Sequence, residues 1–331
     1  MSRFLRRAAL ASGAALAVAG ASVAVSMPAN AATTYSAFVF SNGSTQPTIY
    51  SFINSATSTL EMTMYELEDT TAVNDLIARE NAGVTVRVIL DGQHTSADAA
   101  AYSALKAAGV GVVYSSTSNF VYTHQKTITV DDAKSLILSG NLTSQYYSTG
   151  RDYGVFDSDA ADVAAIVKVF NADYKKSSVT ASDADNLLWS PNTSQTRLLS
   201  IINGATSTLD VEELEFSDTA VVNAIVARAK AGVTVRVVVE SPSSYSSEIA
   251  KVEAAGGTVV GYSSSTGTYI HAKAMVADYG LSTAAVEVGS MNLSSNSLSN
   301  NRELGIILNN TSVEKVVETQ FTSDYANGTA V

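Results

Sequence analysis

The chain has 331 residues, of which 31 are acidic and 20 basic, so its formal net charge is −11. Phosphate contacts dominate nucleic-acid affinity, so this acidity argues against DNA or RNA as the main substrate. The absence of cysteine excludes disulfides, thiol catalysis and cysteine-ligated zinc. With only three histidines in the chain, a histidine-rich metal site is not expected either.

The first 31 residues have the pattern of a secretory leader. Arg3, Arg6 and Arg7 form a basic start, and an Ala/Val/Gly-rich stretch follows. The tripeptide at 29–31 is a small-x-small cleavage site. We expect cleavage after Ala31 and a secreted protein, exported by the general secretory route rather than by the twin-arginine route. A membrane anchor is disfavoured because large apolar residues are few.

The remainder of the chain is an internal duplication. Residues 56–91 align with residues 205–240 at a constant offset of 149. A duplication of this size predicts two halves with the same fold. We place the first repeat at 32–176, a small and polar linker at 177–188, and the second repeat at 189–331.

Each repeat alternates strands and helices. In chain order, the first repeat has a helix at 45–56, a strand at 59–67, a helix at 71–83, a strand at 84–90, a helix at 96–109, a strand at 110–115, two motif strands, a strand at 152–157 and a helix at 161–176. The second repeat follows the same series and ends in a helix at 312–327. This alternation predicts an α/β fold with mixed sheets.

The formula H-x-K-x4-D, followed by an apolar run and S-x-N, occurs once in each repeat. The residues are His124, Lys126, Asp131, Ser139 and Asn141 in the first copy, and His271, Lys273, Asp278, Ser290 and Asn292 in the second. Residues two apart on a strand share a face, so each copy presents an imidazole, an ammonium, a hydroxyl and an amide to one patch. Lysine and asparagine donate to phosphate oxygens, and histidine can be nucleophile, acid or base.

The paired motifs resemble those of the phospholipase D superfamily, whose members carry two H-x-K-x4-D motifs usually followed by G-S-x-N. The second copy has GSMN at 289–292, whereas the first has LSGN at 138–141, with Leu138 in place of Gly. The resemblance covers nearly all of the chain after the leader. It implies two pseudo-symmetric α-β-α sandwich halves with the active site at their interface.

Cleavage of a phosphodiester by covalent catalysis needs a nucleophile and an acid. We therefore expect His124 and His271 to meet at one phosphate, without a metal or another cofactor. By resemblance, His124 is the nucleophile that forms a phosphohistidine, and His271 is the general acid. The resemblance also implies that an acid after each motif, Asp152 or Glu303, hydrogen-bonds the far nitrogen of a catalytic histidine.

The remaining motif residues are assigned to binding and support. Lys126 and Lys273 are expected to act in catalysis by stabilising charge on the phosphate. Asp131 and Asp278 are expected to support the motif strand by holding its turn through backbone hydrogen bonds. Predicted phosphate ligands are Asn141, Asn292, Ser139 and Ser290.

Three further residues have no assigned function at this point. Glu66 and Glu215 align at the ends of equivalent strands, where a place on the rim of the site and a structural role are equally compatible with the sequence. His94 has Ser243 as its counterpart in the second repeat, and we interpret it as a solvated loop residue.

The expected activity is that of a secreted phospholipase D-type phosphodiesterase acting on glycerophospholipids, with transfer to an alcohol as a variant of hydrolysis. The alternatives are a metal-independent secreted nuclease of the same superfamily and an inactive binding module. We expect the partners to be a phospholipid or another phosphodiester, with transient contact with a membrane surface, and we expect the protein to be a monomer.

Overall fold

A computed structural model describes residues 34–40, 45–263 and 265–331, and the leader predicted at 1–31 lies outside the described residues. The described residues belong to one compact unit, Thr33–Val331. Within these residues, no helix combines the length and the apolar character that a membrane span requires.

The described part of the first repeat follows the predicted alternation. Its strands are β1 Tyr35–Phe40, β2 Thr59–Met64, β3 Thr85–Leu90, β4 Gly111–Tyr114, β5 Thr127–Val130, β6 Lys134–Leu138 and β7 Gly150–Asp157. Its helices are α1 Gln46–Asn54, α2 Thr70–Asn81, α3 Ala99–Ala107 and α4 Ala160–Tyr174.

The second repeat uses the same elements and adds three short ones, β12, β16 and α8. Its strands are β8 Leu187–Ser190, β9 Thr208–Glu213, β10 Thr234–Glu240, β11 Thr258–Tyr262, β12 Tyr269–Ile270, β13 Lys273–Ala277, β14 Ala285–Gly289, β15 Glu303–Leu308 and β16 Thr329–Ala330. Its helices are α5 Ser194–Gly204, α6 Thr219–Lys230, α7 Ser246–Ala254, α8 Ser295–Ser299 and α9 Thr311–Asn327.

Equivalent helices begin and end at equivalent residues. The side chain of Asp69 accepts two backbone N–H groups at the start of α2, and Asp218 accepts one, from Val221, at the start of α6. Past the C-terminal ends of these helices, Gly83 and Gly232 have φ angles of 91° and 90°, which glycine adopts without steric cost. These local signals explain why the sequence predicts the helices well.

Each repeat builds one mixed sheet. The strand orders are β1-β7-β6-β5-β2-β3-β4, and β16-β11-β10-β9-β13-β14-β15-β8. Strands β2, β3 and β4 run parallel, whereas β5, β6 and β7 pair antiparallel. The first sheet also receives β12 of the second repeat, since Tyr269 pairs with Gly150 of β7. The predicted α/β architecture with mixed sheets is confirmed.

The core is divided into three layers of apolar packing. Helices α1–α3 cover the outer face of the first sheet, and α5–α7 cover the outer face of the second. Between the sheets lies a shared core, with Tyr153 and Ile166 from the first repeat and Val288 and Phe321 from the second. The two repeats therefore bury their inner faces against each other, with α4 and α9 in that layer.

Two reciprocal ion pairs join the repeats beside the shared core. Arg151 Nε lies 2.5 Å from Oδ2 of Asp324 on α9, and Arg302 Nε lies 2.8 Å from Oδ2 of Asp173 on α4. Each pair is bidentate. Each arginine directly precedes one of the acids predicted for the site, so the pairs fix the backbone that carries those acids.

Candidate active site

The two motif histidines line one cavity between the repeats. His124 lies just before β5, and His271 lies just before β13, so both stand where a central strand reaches the interface. They are among the residues that line a cavity of about 230 Å³. Their side chains are 12% and 13% exposed, so each reaches the cavity with little other contact with solvent.

Each histidine is paired with an acid from the other repeat. Nδ1 of His124 lies 2.8 Å from Oε2 of Glu303, and Nδ1 of His271 lies 2.9 Å from Oδ1 of Asp152. A carboxylate at Nδ1 fixes the tautomer that carries hydrogen there. Nε2 of each ring then carries the lone pair, and on the His271 side Nζ of Lys273 lies 3.2 Å from this nitrogen.

Burial is the largest influence on the charge of this site. It lowers the pKa of His124 to about 4, against the opposing effect of Glu303, and it also lowers the pKa of His271. Burial also acts to raise the pKa of Asp152 and of Glu303. The facing histidine and a nearby lysine have the opposite and stronger effect, so the pKa of each carboxyl group is lowered. Near pH 7 the site therefore holds neutral imidazoles against ionised carboxylates.

The motif serines lie behind the acids. Ser139 Oγ donates to Asp152 at 2.7 Å, and Ser290 Oγ donates to Glu303 at 2.8 Å. Both serines are completely buried. This corrects the assignment of Ser139 and Ser290 to phosphate binding, because neither hydroxyl is accessible to a ligand. Their contacts orient the carboxylates that hold the histidines.

Both motif lysines are buried beside their histidines. Lys126 Nζ donates to the carbonyl of His124 at 2.5 Å and lies 5.1 Å from the ring centre of Tyr65. Lys273 Nζ donates to the carbonyl of His271 and lies 3.2 Å from both nitrogens of that ring. Burial, together with the charge of Lys273, lowers the pKa of Lys126 to about 7, and burial also lowers the pKa of Lys273.

The motif asparagines line the cavity but differ in their contacts. Asn141 Nδ2 donates to Oε2 of Glu66 at 3.1 Å. Oδ1 of each asparagine has no hydrogen-bond partner within the described residues, and Asn292 is only 6% exposed. The positions of both asparagines suit the predicted contact with phosphate oxygens.

The motif aspartates lie at the far ends of the motif strands. Asp131 accepts backbone N–H groups of Thr57, Ser58 and Thr59 at the start of β2. Asp278 makes the equivalent contacts at the start of β9. The predicted backbone hydrogen bonds are present, but they go to a neighbouring strand. Neither aspartate supports the histidines directly.

Several residues that line the cavity carried no assignment from the sequence. They are Phe40, Tyr65, Glu66, Thr143, Tyr146, Tyr147, Gly150, Leu214, Glu215 and Tyr269. Tyr65 packs edge-on against His124, with ring centres 4.6 Å apart. The alignment of the repeats pointed to Glu66 and Glu215. Tyr269 stands two residues before His271, as Tyr122 does before His124, whereas Tyr65, Tyr146 and Tyr147 have no tyrosine at the equivalent position of the second repeat.

The fold and the paired histidines place the chain in a known class. The family model described as "Cardiolipin synthase, PLD-like domain" matches residues 49–174 and 198–325. These segments make up more than half of the chain, so the chain belongs to this phospholipase D-like family. A comparison with curated proteins gave no match.

Similar folds occur in solved structures. The polyphosphate kinase from Porphyromonas gingivalis has a TM-score of 0.67 at 13% identity, over 88% of this chain and 50% of that chain, so this chain spans half the length of the kinase. The phosphatidylserine synthase of Haemophilus influenzae Rd KW20 has a TM-score of 0.66 at 13% identity, over 88% of this chain and 85% of that chain. At this identity the likeness shows the fold alone. Nuc from Salmonella typhimurium matches 45% of this chain over 99% of its own, at 20% identity and a TM-score of 0.41.

Proposed function

We propose that the protein is a secreted phospholipase D-type phosphodiesterase that hydrolyses glycerophospholipids through a phosphohistidine intermediate. The observation that carries this proposal is the pair of histidines on one cavity, each held at Nδ1 by a buried acid from the other repeat. This arrangement offers two Nε2 atoms to one phosphate, which is what a nucleophile and a general acid require.

The geometry supports a two-step reaction. Nε2 of His124 attacks phosphorus, and the leaving headgroup oxygen takes a proton from the imidazolium form of His271. Water then attacks the phosphohistidine and gives its proton to His271, which restores both residues. An anionic phosphate in the cavity favours the protonated form of His271, because opposite charges stabilise each other at short range. Lys126 and Lys273 stabilise charge that develops on the phosphate oxygens.

The charges around the site favour a lipid over a nucleic acid. Apart from Lys126 and Lys273, the nearest cations in the motif regions are Arg151 and Arg302, and both are engaged in the ion pairs with α9 and α4. The cavity wall itself carries Glu66 and Glu215. A polyanion would meet few cations there, whereas a single phosphodiester needs only the two lysines and the asparagines.

The test is a parallel assay in excess chelator, with the chain from residue 32 onward. Choline release from phosphatidylcholine vesicles is compared with nicking of plasmid DNA, for wild type, His124→Ala and His271→Ala. We expect choline release that is lost in both variants. DNA nicking alone would replace the lipase assignment with a nuclease. Loss of activity in chelator would contradict the metal-free mechanism.

A further inference from the structure

The two repeats use their aligned glutamates differently. In the first repeat, Glu66 is occupied by protein contacts. Its Oε2 accepts a hydrogen bond from Asn141, and its Oε1 lies 3.3 Å from Nδ1 of His94. Oε2 of Glu66 is therefore held by a hydrogen bond from the protein, although Oδ1 of Asn141 itself has no hydrogen-bond partner among the described residues.

The corresponding glutamate of the second repeat has no such contact. Among the described residues, Glu215 has no hydrogen-bond or ion-pair partner, and Lys273 acts on it only at longer range. Oδ1 of Asn292 is buried and has no hydrogen-bond partner among these residues, as is also true of Oδ1 of Asn141, so the difference between the repeats lies in the glutamates. The position of His94 is taken by Ser243. Glu215 and Asn292 line the cavity, so both groups are available to a ligand there.

The carboxylate of Glu215 lies on the His271 side of the cavity. Lys273 of β13 pairs with Glu213 of β9, and Leu214 N donates to the carbonyl of Ala272 at 3.2 Å. Continuing this antiparallel register by one residue places Glu215 opposite His271. A leaving group whose oxygen is protonated by His271 would therefore extend toward Glu215.

We propose that Glu215 selects substrates whose leaving group is an amino alcohol with a cationic nitrogen, such as ethanolamine or choline. A carboxylate without a protein partner attracts such a cation, and the free Oδ1 of Asn292 can accept an ammonium N–H. Tyr146 and Tyr269 line the same cavity, with ring centres 6.0 Å apart, and aromatic faces attract cations. This inference rests on the proposed function and adds to it a headgroup class and the residue that recognises it.

The experiment compares headgroups within one preparation of each variant. The values of kcat/KM are measured for soluble dihexanoyl phosphatidylethanolamine, phosphatidylcholine and phosphatidylglycerol, with wild type, Glu215→Gln and Glu66→Gln. Ratios between substrates cancel any difference in the folded fraction. We expect Glu215→Gln to lower both ratios, ethanolamine to glycerol and choline to glycerol, by about tenfold. Glu66→Gln, the matched control, should leave both ratios unchanged even where its overall activity falls.

The outcomes separate this inference from the function it rests on. If wild type cuts these lipids and Glu215→Gln keeps the wild-type ratios, the assignment of Glu215 is overturned while the lipase function stands. The assignment of Glu215 would also be overturned if Glu66→Gln and Glu215→Gln lowered the substrate ratios equally, because Glu66 is already hydrogen-bonded by Asn141. If wild type cuts none of the three lipids, the proposed lipase function fails and this inference fails with it.

Discussion

A carboxylate from the opposite repeat holds each histidine of the site at Nδ1. Glu303 raises the pKa of His124 against the larger lowering by burial, and Asp152 does the same for His271. A nucleophilic imidazole must be neutral, whereas a general acid must be protonated. With His124 as the proposed nucleophile and His271 as the proposed acid, the two carboxylates are expected to act on opposite limbs of a pH profile.

Replacement of Glu303 by Gln should move the acid limb of kcat/KM to lower pH. The amide keeps the shape of the side chain but removes the charge that raises the pKa of His124. Since the pKa of His124 is already lowered to about 4, the wild-type acid limb should lie well below the ordinary histidine value of 6.5. Activity at pH 7 should fall by roughly a hundredfold or more, because the tautomer is no longer held. A pH series with a soluble short-chain lipid measures both effects.

Asp152→Asn is the matched variant on the other side. It lowers the pKa of His271, so the proton needed by the leaving group is lost at lower pH, and the basic limb should move to lower pH. If Glu303→Gln moved the basic limb and Asp152→Asn the acid limb, the nucleophile and the acid would be exchanged between His124 and His271.

At this scale the sequence predicted which residues meet, but not how they pair. The motif spacing placed His124 and Lys126 on one side of a strand, and both lie at the site. The partner of His124 is Glu303, 179 positions away, and no local pattern encodes a contact of that separation. The serines were misassigned for the same reason, because their acceptors come from a neighbouring strand of the folded sheet.

Each motif strand has its histidine at one end and an aspartate just past the other. Asp131 and Asp278 have φ angles of 54° and 53°, in the left-handed region that aspartate tolerates better than most residues. From there each carboxylate reaches the first backbone N–H groups of the adjacent strand, β2 or β9. These contacts fix the register of the motif strand relative to its neighbour. They therefore also fix the position of the histidine at the opposite end of the motif strand.

Asp278→Asn should lower the free energy of unfolding by roughly 2–3 kcal/mol at pH 7, because the charge that strengthens three hydrogen bonds to backbone amides is lost. The hydrogen bonds hold the pKa of Asp278 down at about 2, compared with the ordinary 3.8. The stabilisation is therefore fully present above pH 3.8 and is lost as the pH falls toward 2. Thermal unfolding of both proteins should show a difference in Tm that narrows over this range.

Asp132→Asn provides the control, because Asp132 is exposed and also has a positive φ angle. We expect almost no change in Tm for this variant. A Tm difference between wild type and Asp278→Asn that stayed constant from pH 7 to pH 2 would show that the charge of Asp278 does not contribute to stability.

The sequence predicted most elements to within a few residues, and the exceptions have a physical cause. Helices such as α2 and α6 carry their own start and stop signals in Asp69, Gly83 and their counterparts. Strand β1 carries no comparable signal, because its burial does not alternate and it is held by pairing with β7, more than 100 residues later. Strand β12 has two residues and is defined only by its partner in the other repeat.

On the scale of the whole molecule, the repeats are not separable units. The duplication predicted two like halves, and the structure has two mixed sheets, one from each repeat, as expected. The crossed contacts between them were not visible in the sequence. The histidine–acid pairs, the ion pairs of Arg151 and Arg302, and β12 all join one repeat to the other. One chain therefore supplies every predicted catalytic group.

This arrangement predicts that inactive chains do not complement each other. A mixture of His124→Ala and His271→Ala should stay inactive, because each chain closes its own cavity and retains one defective histidine. The mixture is unfolded together in urea, refolded by dilution and assayed beside refolded wild type, whose recovery shows that refolding works. Activity approaching a quarter of the wild-type value would show that repeats from different chains pair with each other, as in an exchanged dimer. If the mixture stays inactive after joint refolding while wild type recovers its activity, the complete site lies within a single chain. The two histidines and their two acids are then brought together only by contacts inside that chain.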